Sequence, residues 1–220
     1  MTVATEVLLI RHGKTEWNQH KRLQGHSDVP LNAEGIAQAI SLAETLRRET
    51  LHAILSSDLQ RARDTAEAIA RWHTLPVQAD PALRERCYGA FEGMDREAIK
   101  HQYPESHAAW YAGDPDHVFP PGARPAESMR TFYHRAISAI LRVGEKYPGQ
   151  KVVVVTHFGI IESAYRITQY LPLDVRCRLP VSNTSINRFL VYDDNIELLR
   201  WGDDAHLAGK VPPVDYPRHA

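Results

Sequence analysis

Two histidines close two apolar, β-branched runs, and two arginines and a glutamate fall where they could meet them. Val7-Leu8-Leu9-Ile10 leads straight into Arg11-His12-Gly13, and Lys151-Val152-Val153-Val154-Val155-Thr156 leads into His157. A buried strand ending in Arg-His-Gly delivers a cation, an imidazole and a permissive glycine to one point, at the carboxyl edge where open α/β sheets bind ligands. Arg61 falls in the first turn of a helix that follows the short strand Ala53-Ile54-Leu55-Ser56, and reaches the same edge if the strands are parallel. Two guanidiniums there can present forks to phosphoryl oxygens and neutralise a dianion as its charge redistributes. A neutral His12 can attack phosphorus if a main-chain carbonyl holds its other ring nitrogen. The departing alkoxide needs a proton, and Glu85, in an irregular charged and aromatic segment, is the acid best located to give it. Singly, each residue has a plain reading: Arg-His-Gly as a turn, Arg61 as an ordinary surface arginine of a helix.

The elements that must position these groups alternate. Asn32 caps a helix over 33–48 with Ile36, Ala37, Ile40, Ala43 and Leu46 on its buried face, and Ser57-Asp58 caps a second helix, from Leu59 to Trp72. Between Thr74 and Pro81 the pattern breaks at Pro76 and Pro81. A short helix is expected from Asp95 to Gln102, and proline-rich chain from Trp110 to Glu127 reads as a cap over the sheet's working edge. The longest helix runs from Glu127 or Ser128 to Tyr147, with Met129, Phe132, Tyr133, Ala136, Ile137, Ile140 and Leu141 on one face. Gly159 to Tyr170 reads as a further helix, and Ser185–Tyr192 and Asn195–Trp201 as a hairpin of antiparallel strands. The predicted fold class is α/β: a three-layer α/β/α sandwich with a mostly parallel central sheet. Residues 1–203 form the catalytic domain, with a cap elaboration at about 93–127, and 204–220 form a loose tail.

Composition narrows the partners. The 220 residues carry a formal charge of −1, with 26 Lys and Arg against 27 Asp and Glu, which gives no sign of a nucleic-acid surface. Two cysteines, Cys87 and Cys177, are too few for a disulfide scaffold, and Cys87 reads as a buried structural thiol. No apolar run approaches the length of a membrane span, and the first residues lack a basic flank before an apolar segment, so the expected location is the cytoplasm, away from membranes. Gly13-Lys14-Thr15 copies the end of a nucleotide P-loop, but Leu8 stands where that loop needs glycine. The scattered histidines lack a local zinc pattern, and Ser56, Ser57 and Ser163 lack a nucleophile elbow.

Arg11-His12-Gly13-Lys14-Thr15-Glu16-Trp17-Asn18 with Gln24-Gly25 and Asp28-Val29-Pro30-Leu31, then Ser57-Asp58-Leu59-Gln60-Arg61-Ala62-Arg63-Asp64-Thr65-Ala66, Leu83-Arg84-Glu85 and Thr156-His157 follow in order. Together they resemble the histidine phosphatase superfamily, in its phosphoglycerate-mutase-like branch. The resemblance implies that His12 is transiently phosphorylated while Arg11, Arg61, His157 and Asn18 hold the phosphoryl group, with Gln24 and Gly25 in the substrate pocket. Glu85 matches the family's proton donor, which as a carboxylate then activates water. No metal and no cofactor are implied. Glu85-Arg86-Cys87-Tyr88-Gly89 is close to the mutases' stretch, so Arg86 and Tyr88 are assigned to a substrate carboxylate, with Arg96 helping on that side.

Three departures bear on the reaction. The segment from Gly93 to Glu127 is shorter than in the mutases and lacks their paired arginines, which favours access of water to the phosphohistidine. Phe158 follows His157 where the family has glycine, and either shapes the pocket or packs on the core. Lys14 replaces a glutamate, adding positive potential at the mouth. Ala126-Glu127-Ser128 resembles the family's Gly-Glu-Ser, and Glu162, Tyr165 and Arg166 either line the back of the site or pack as ordinary helix residues. The expected activity is metal-independent hydrolysis of a small phosphomonoester, phosphoglycerate-like or a sugar phosphate. The alternatives are a phosphoglycerate-type mutase and a weakly catalytic phospho-ligand binding protein. A homodimer is left open.

Overall fold

The computed structural model describes residues 3–177 and 179–208. One six-stranded sheet organises them, in the order β3-β2-β4-β1-β5-β6. Strands β1 (Thr5–Arg11), β2 (Ala53–Ser56), β3 (Val77–Ala79) and β4 (Lys151–Thr156) are parallel, and β5 (Ile186–Tyr192) and β6 (Asn195–Asp203) complete one edge as the antiparallel hairpin. Successive side chains of a strand face opposite sides, and β1 and β4 use both. Val7 and Leu9 with Val152 and Val154 enter the core beneath α6 (Met129–Lys146) and α7 (Phe158–Thr168). Leu8 and Ile10 with Val153 and Val155 enter the core beneath α2 (Ala33–Leu46) and α3 (Gln60–Ala70). Each fully buried aliphatic side chain contributes about 1.5–3 kcal/mol, which is why these two runs need no polar alternation. The three layers and mostly parallel sheet are those expected from the sequence.

The register then does the positioning. Ile10 pairs with Val155 and Arg11 with Thr156 in adjacent parallel strands, and the His12 amide donates to the Thr156 carbonyl at 2.9 Å. The next residue of each strand is a histidine, so His12 and His157 leave the sheet side by side.

Several local expectations change. Ile36 and Ile40 lie on the outer face of α2, 51% and 53% exposed, while Ala39, Leu42, Ala43 and Leu46 are buried. The helix is rotated because Gly35 must lie against the backbone of Lys14, where a Cβ would meet the Lys14 nitrogen at 2.6 Å, and because Gln38 accepts from that same amide at 2.9 Å. Helix α3 begins one residue later than expected and its N-cap, Leu59, makes no side-chain cap bond. Strand β3 occupies the stretch that Pro76 and Pro81 mark as irregular; it fits between the two prolines and contains neither.

In the cap, α4 (Arg96–Gln102) follows its Asp95 N-cap, and α5 (Pro104–Ala112) was not anticipated, although Pro104 at its first turn and Gly113 at its end, φ 78°, are standard boundary residues. Phe91, Ile99 and Phe119 form a separate small core there, with Tyr88, Tyr103 and Trp110 against it. The expected tail begins with a 3-10 turn at Ala205–Leu207 bound to the body, where Ser41 Oγ donates to the His206 carbonyl at 2.7 Å; residues 209–220 lie outside the described residues. Among the described residues no helix is long and apolar enough to cross a membrane.

Candidate active site

His12 is 4% exposed and His157 fully buried, with ring centroids 5.1 Å apart. Nδ1 of His12 lies 2.7 Å from the Gly13 carbonyl. A carbonyl only accepts, so Nδ1 carries the hydrogen and Nε2 presents its lone pair. Burial first, then the charges of Arg61 and Arg11, hold His12 well below the ordinary histidine value, so the ring is neutral at neutral pH. His157 is held down in the same way, by burial and then by Arg61 and His12.

Arg61 reaches the site from the first turn of α3 and is completely buried. Its Nη1 donates to the Ser27 carbonyl at 2.9 Å and Nη2 to that of Gly25 at 2.8 Å, which ties the 25–27 loop to the sheet edge. Burial pulls its pKa down to about 10, leaving it cationic. Arg61 Nε and both ring nitrogens of His157 have no hydrogen-bond partner among the described residues. A buried donor left in that state costs roughly 1–3 kcal/mol, and an anion accepting from several at once recovers it. The helices α3 and α7 start at this same end of the sheet; their N-cap residues, Leu59 and His157, make no side-chain cap bond, and the Gln60 amide of α3 donates instead to Asp28 Oδ1 at 2.7 Å.

Arg11 donates from Nη1 to the Val181 carbonyl at 2.6 Å and its guanidinium lies 5.9 Å from the Phe158 ring centre. Phe158 also packs against the larger core, one of the two alternatives expected for it. In the short helix α1 (Glu16–Gln19), Asn18 forms a capping box with Thr15, its Oδ1 accepting from the Thr15 amide at 3.1 Å, and Gln24 Oε1 accepts from Thr15 Oγ1 at 3.0 Å. Both residues brace the loop that follows His12. Lys14 pairs with Glu34 at 2.7 Å, so its charge is locally answered rather than added at the mouth.

Glu85 is fixed by two backbone donors: the Arg86 amide to Oε1 at 2.8 Å and the Gly159 amide, at the start of α7, to Oε2 at 3.1 Å. Arg86 is 7% exposed; its Nε donates to the Glu127 carbonyl at 2.9 Å and its guanidinium stacks over Phe119 at 4.5 Å. Burial pushes the Tyr88 phenol up, and Tyr88 stacks on Phe119. Arg96 opens α4 and lies over the Trp110 ring at 6.0 Å, in the cap cluster. Tyr165 packs on Trp201, with ring centroids 4.8 Å apart, as an ordinary helix residue does. Cys87 is buried as expected, and burial pushes its thiol up.

Four further residues, none of them expected at the site from the sequence, support it. Asn183 Nδ2 donates to the His12 carbonyl at 2.8 Å, and Thr65 Oγ1 accepts from the Gly13 amide at 3.0 Å. His26 Nε2 lies 2.9 Å from the Glu85 carbonyl. Arg135 donates to the carbonyls of Ala82, Arg84 and Glu85 at 3.0, 2.8 and 3.1 Å while pairing with Glu127 at 2.7 Å. Only a helical arginine eight residues beyond a Glu-Ser cap hinted at the last.

The sequence model of the family described as Histidine phosphatase superfamily (branch 1) matches residues 7–204. The chain is 38% identical over 205 residues to phosphoglycerate mutase-like protein 4 of Arabidopsis thaliana, covering 92% of this chain and 86% of that protein. It is 34% identical over 207 residues to the metal-independent phosphoserine phosphatase of the same plant, covering 93% and 84%. Among solved structures, Bacillus stearothermophilus YhfR superposes with a TM-score of 0.82 at 28% identity, covering 92% of this chain and 99% of that one. A mycobacterial glucosyl-3-phosphoglycerate phosphatase superposes with a TM-score of 0.71 at 29% identity, covering 85% and 90%.

Proposed function

The chain belongs to the histidine phosphatase superfamily, branch 1, and from that premise we propose that it hydrolyses small phosphomonoesters through a phosphohistidine on His12. The observation that carries this reading is the locked, neutral His12 ring beside the unpartnered donors of Arg61 and His157. Phosphoryl oxygens accept from those donors and from Arg11, with Asn18 at the edge, while His12 Nε2 attacks in line. The N–P bond forms as the ester P–O bond breaks, and Glu85 gives its proton to the departing alkoxide. Its carboxylate then takes a proton from a water that attacks the phosphohistidine, releasing inorganic phosphate and the free ring. Charge spreads over the equatorial oxygens in that step, where fixed cations contribute most. No step is routed through a metal.

The substrate expected is phosphoglycerate-like or a sugar phosphate, with Arg86 and Tyr88 against its far end. The relatives carry the names of a phosphoglycerate mutase-like protein and a phosphoserine phosphatase, the two fates open to a phosphohistidine: transfer to a hydroxyl or to water. Incubation with phosphoglycerate isomers separates them. Inorganic phosphate should accumulate with little isomer, and an acid-labile phosphoprotein should form with wild-type protein but not with His12→Ala. Predominant isomerisation would assign the chain as a mutase, and tight binding without either product would make it a binding protein.

A further inference from the structure

Glu162 is an acid that neither the phosphoryl pocket nor the leaving-group step uses. It lies one turn along α7 from Phe158, whose ring meets Arg11, and from Gly159, whose amide holds Glu85. Residues three and four apart share a helix face, so Glu162 lies on the face of α7 that carries both of those contacts. Its charge acts on Arg86 and Tyr88, and Glu85 acts on it. The side chain is only 13% exposed.

Its hydrogen bonding is lopsided. Arg166 donates to Oε1 twice, from Nε at 3.1 Å and Nη2 at 2.8 Å, and commits Nη1 to the Pro172 carbonyl at 2.7 Å. Oε2 accepts from no described residue, although an ionised carboxylate has lone pairs for about four donors. Burial pushes the Glu162 carboxyl up, as happens to an acid with too few partners for its charge. Arg86, on whose charge Glu162 acts, uses Nε on the Glu127 carbonyl and Nη2 on that of His117, at 2.9 and 3.5 Å, and leaves Nη1 unused among the described residues. Each group thus keeps one polar atom open among the described residues, a carboxylate oxygen on Glu162 and a guanidinium nitrogen on Arg86.

Resting on the hydrolytic reading above, we propose that Glu162 Oε2 binds an ammonium group on the substrate's carbon skeleton, which makes amine-bearing phosphomonoesters the preferred class. A zwitterion, with ammonium on Glu162 and carboxylate on Arg86, satisfies both open atoms; a hydroxyl in place of the ammonium supplies no compensating charge.

Two matched pairs isolate that group: O-phospho-L-serine against 3-phospho-L-glycerate, and O-phosphoethanolamine against 2-hydroxyethyl phosphate. In each, an ammonium replaces a hydroxyl. Phosphate release should show kcat/KM higher for the amine in both pairs, by roughly tenfold to a hundredfold, the range for a hydrogen bond to a charged group. In Glu162→Gln, which keeps an oxygen for Arg166, both ratios should fall towards one. Phosphate release without an amine preference in the wild type, or ratios unchanged in Glu162→Gln, would overturn the assignment while leaving hydrolysis standing. No release from any of the four or from p-nitrophenyl phosphate would overturn the hydrolytic reading, and this one with it. The wild-type ratios decide the matter even if the variant does not fold.

Discussion

Replacing Gly159 by alanine asks with a single methyl group whether Glu85 is the acid. A Cβ at Gly159 would meet Glu85 Oε1, and would lie 2.8 and 2.9 Å from Cζ and Cε1 of Phe132, where ordinary contact begins near 3.4 Å. The carboxyl must retreat by roughly 1 Å, a displacement of the size that costs about a hundredfold in an aligned catalytic arrangement. The bond from the Gly159 amide, 3.1 Å in the native arrangement, is lost with it. Only a poor leaving group needs the proton. Steady-state kcat/KM should therefore fall about a hundredfold for glycerol 3-phosphate and less than about tenfold for p-nitrophenyl phosphate, whose phenolate departs unaided. Crowding against Phe132 should cost about 1–3 kcal/mol of stability by urea unfolding. Adding Phe132→Leu should restore that stability without restoring turnover of the alkyl ester. Equal losses on both esters, or unimpaired alkyl turnover in a folded variant, would refute the role given to Glu85 and the geometry that holds it.

Arg61→Lys should lower kcat/KM for every ester by about 10²–10³, because a single ammonium cannot hold the carbonyls of Gly25 and Ser27 and still meet the phosphoryl group; comparable losses on alkyl and aryl esters are the signature to measure. Arg135→Met frees three carbonyls at 82–85 and strands Glu127, so stability should drop by at most about 3 kcal/mol, given the partial exposure of the pair, and alkyl esters should suffer more than aryl ones. Stability should also decline on acidification earlier than carboxylates alone dictate. His12 and His157 have lowered folded pKa values, so below about pH 6.5 the unfolded chain takes up protons that the folded chain refuses, at up to about 1.4 kcal/mol per pH unit for each ring. Glu49 and Asp58, held low by bonds from Lys151 and Arg84, add a second loss below about pH 4. Urea melts at pH 7.5, 6.5 and 5.5 check this, and a flat profile over that range would contradict the burial of two neutral rings.

The parts of the fold that could be read directly were those where one physical demand dominates. The valine run of β4 has no reading except a strand buried on both faces, and a histidine that follows such a strand has to emerge at the sheet's edge. Pairing that edge with Arg61 needed only parallel strands and a short connection. Helix α2 misled because hydrophobicity alone picked its buried face, whereas a polar loop decided it: Gly35 and Gln38 turn inward to serve Lys14, and Ile36 and Ile40 turn out. Helix α5 was masked by the prolines around it, although Pro104 opens it and Gly113 ends it. Asn183, Thr65 and His26 brace the candidate site through contacts between residues far apart in the chain, and no local period announces such contacts. Roles resting on the family's pattern reach the phosphate pocket but stop short of Glu162.

The pairing of Arg11 with Thr156 has a consequence for how the protein comes into being. Because β4 sits between β1 and β2, a nascent chain still short of residue 151 has no central strand to join its first two, and His12 has no partner ring. Late, long-range closure of this kind is slow and exposes apolar strand edges meanwhile. The ribosome must therefore have released most of the chain before the two rings can meet, and truncation anywhere ahead of β4 should yield a sticky fragment rather than a smaller folded domain.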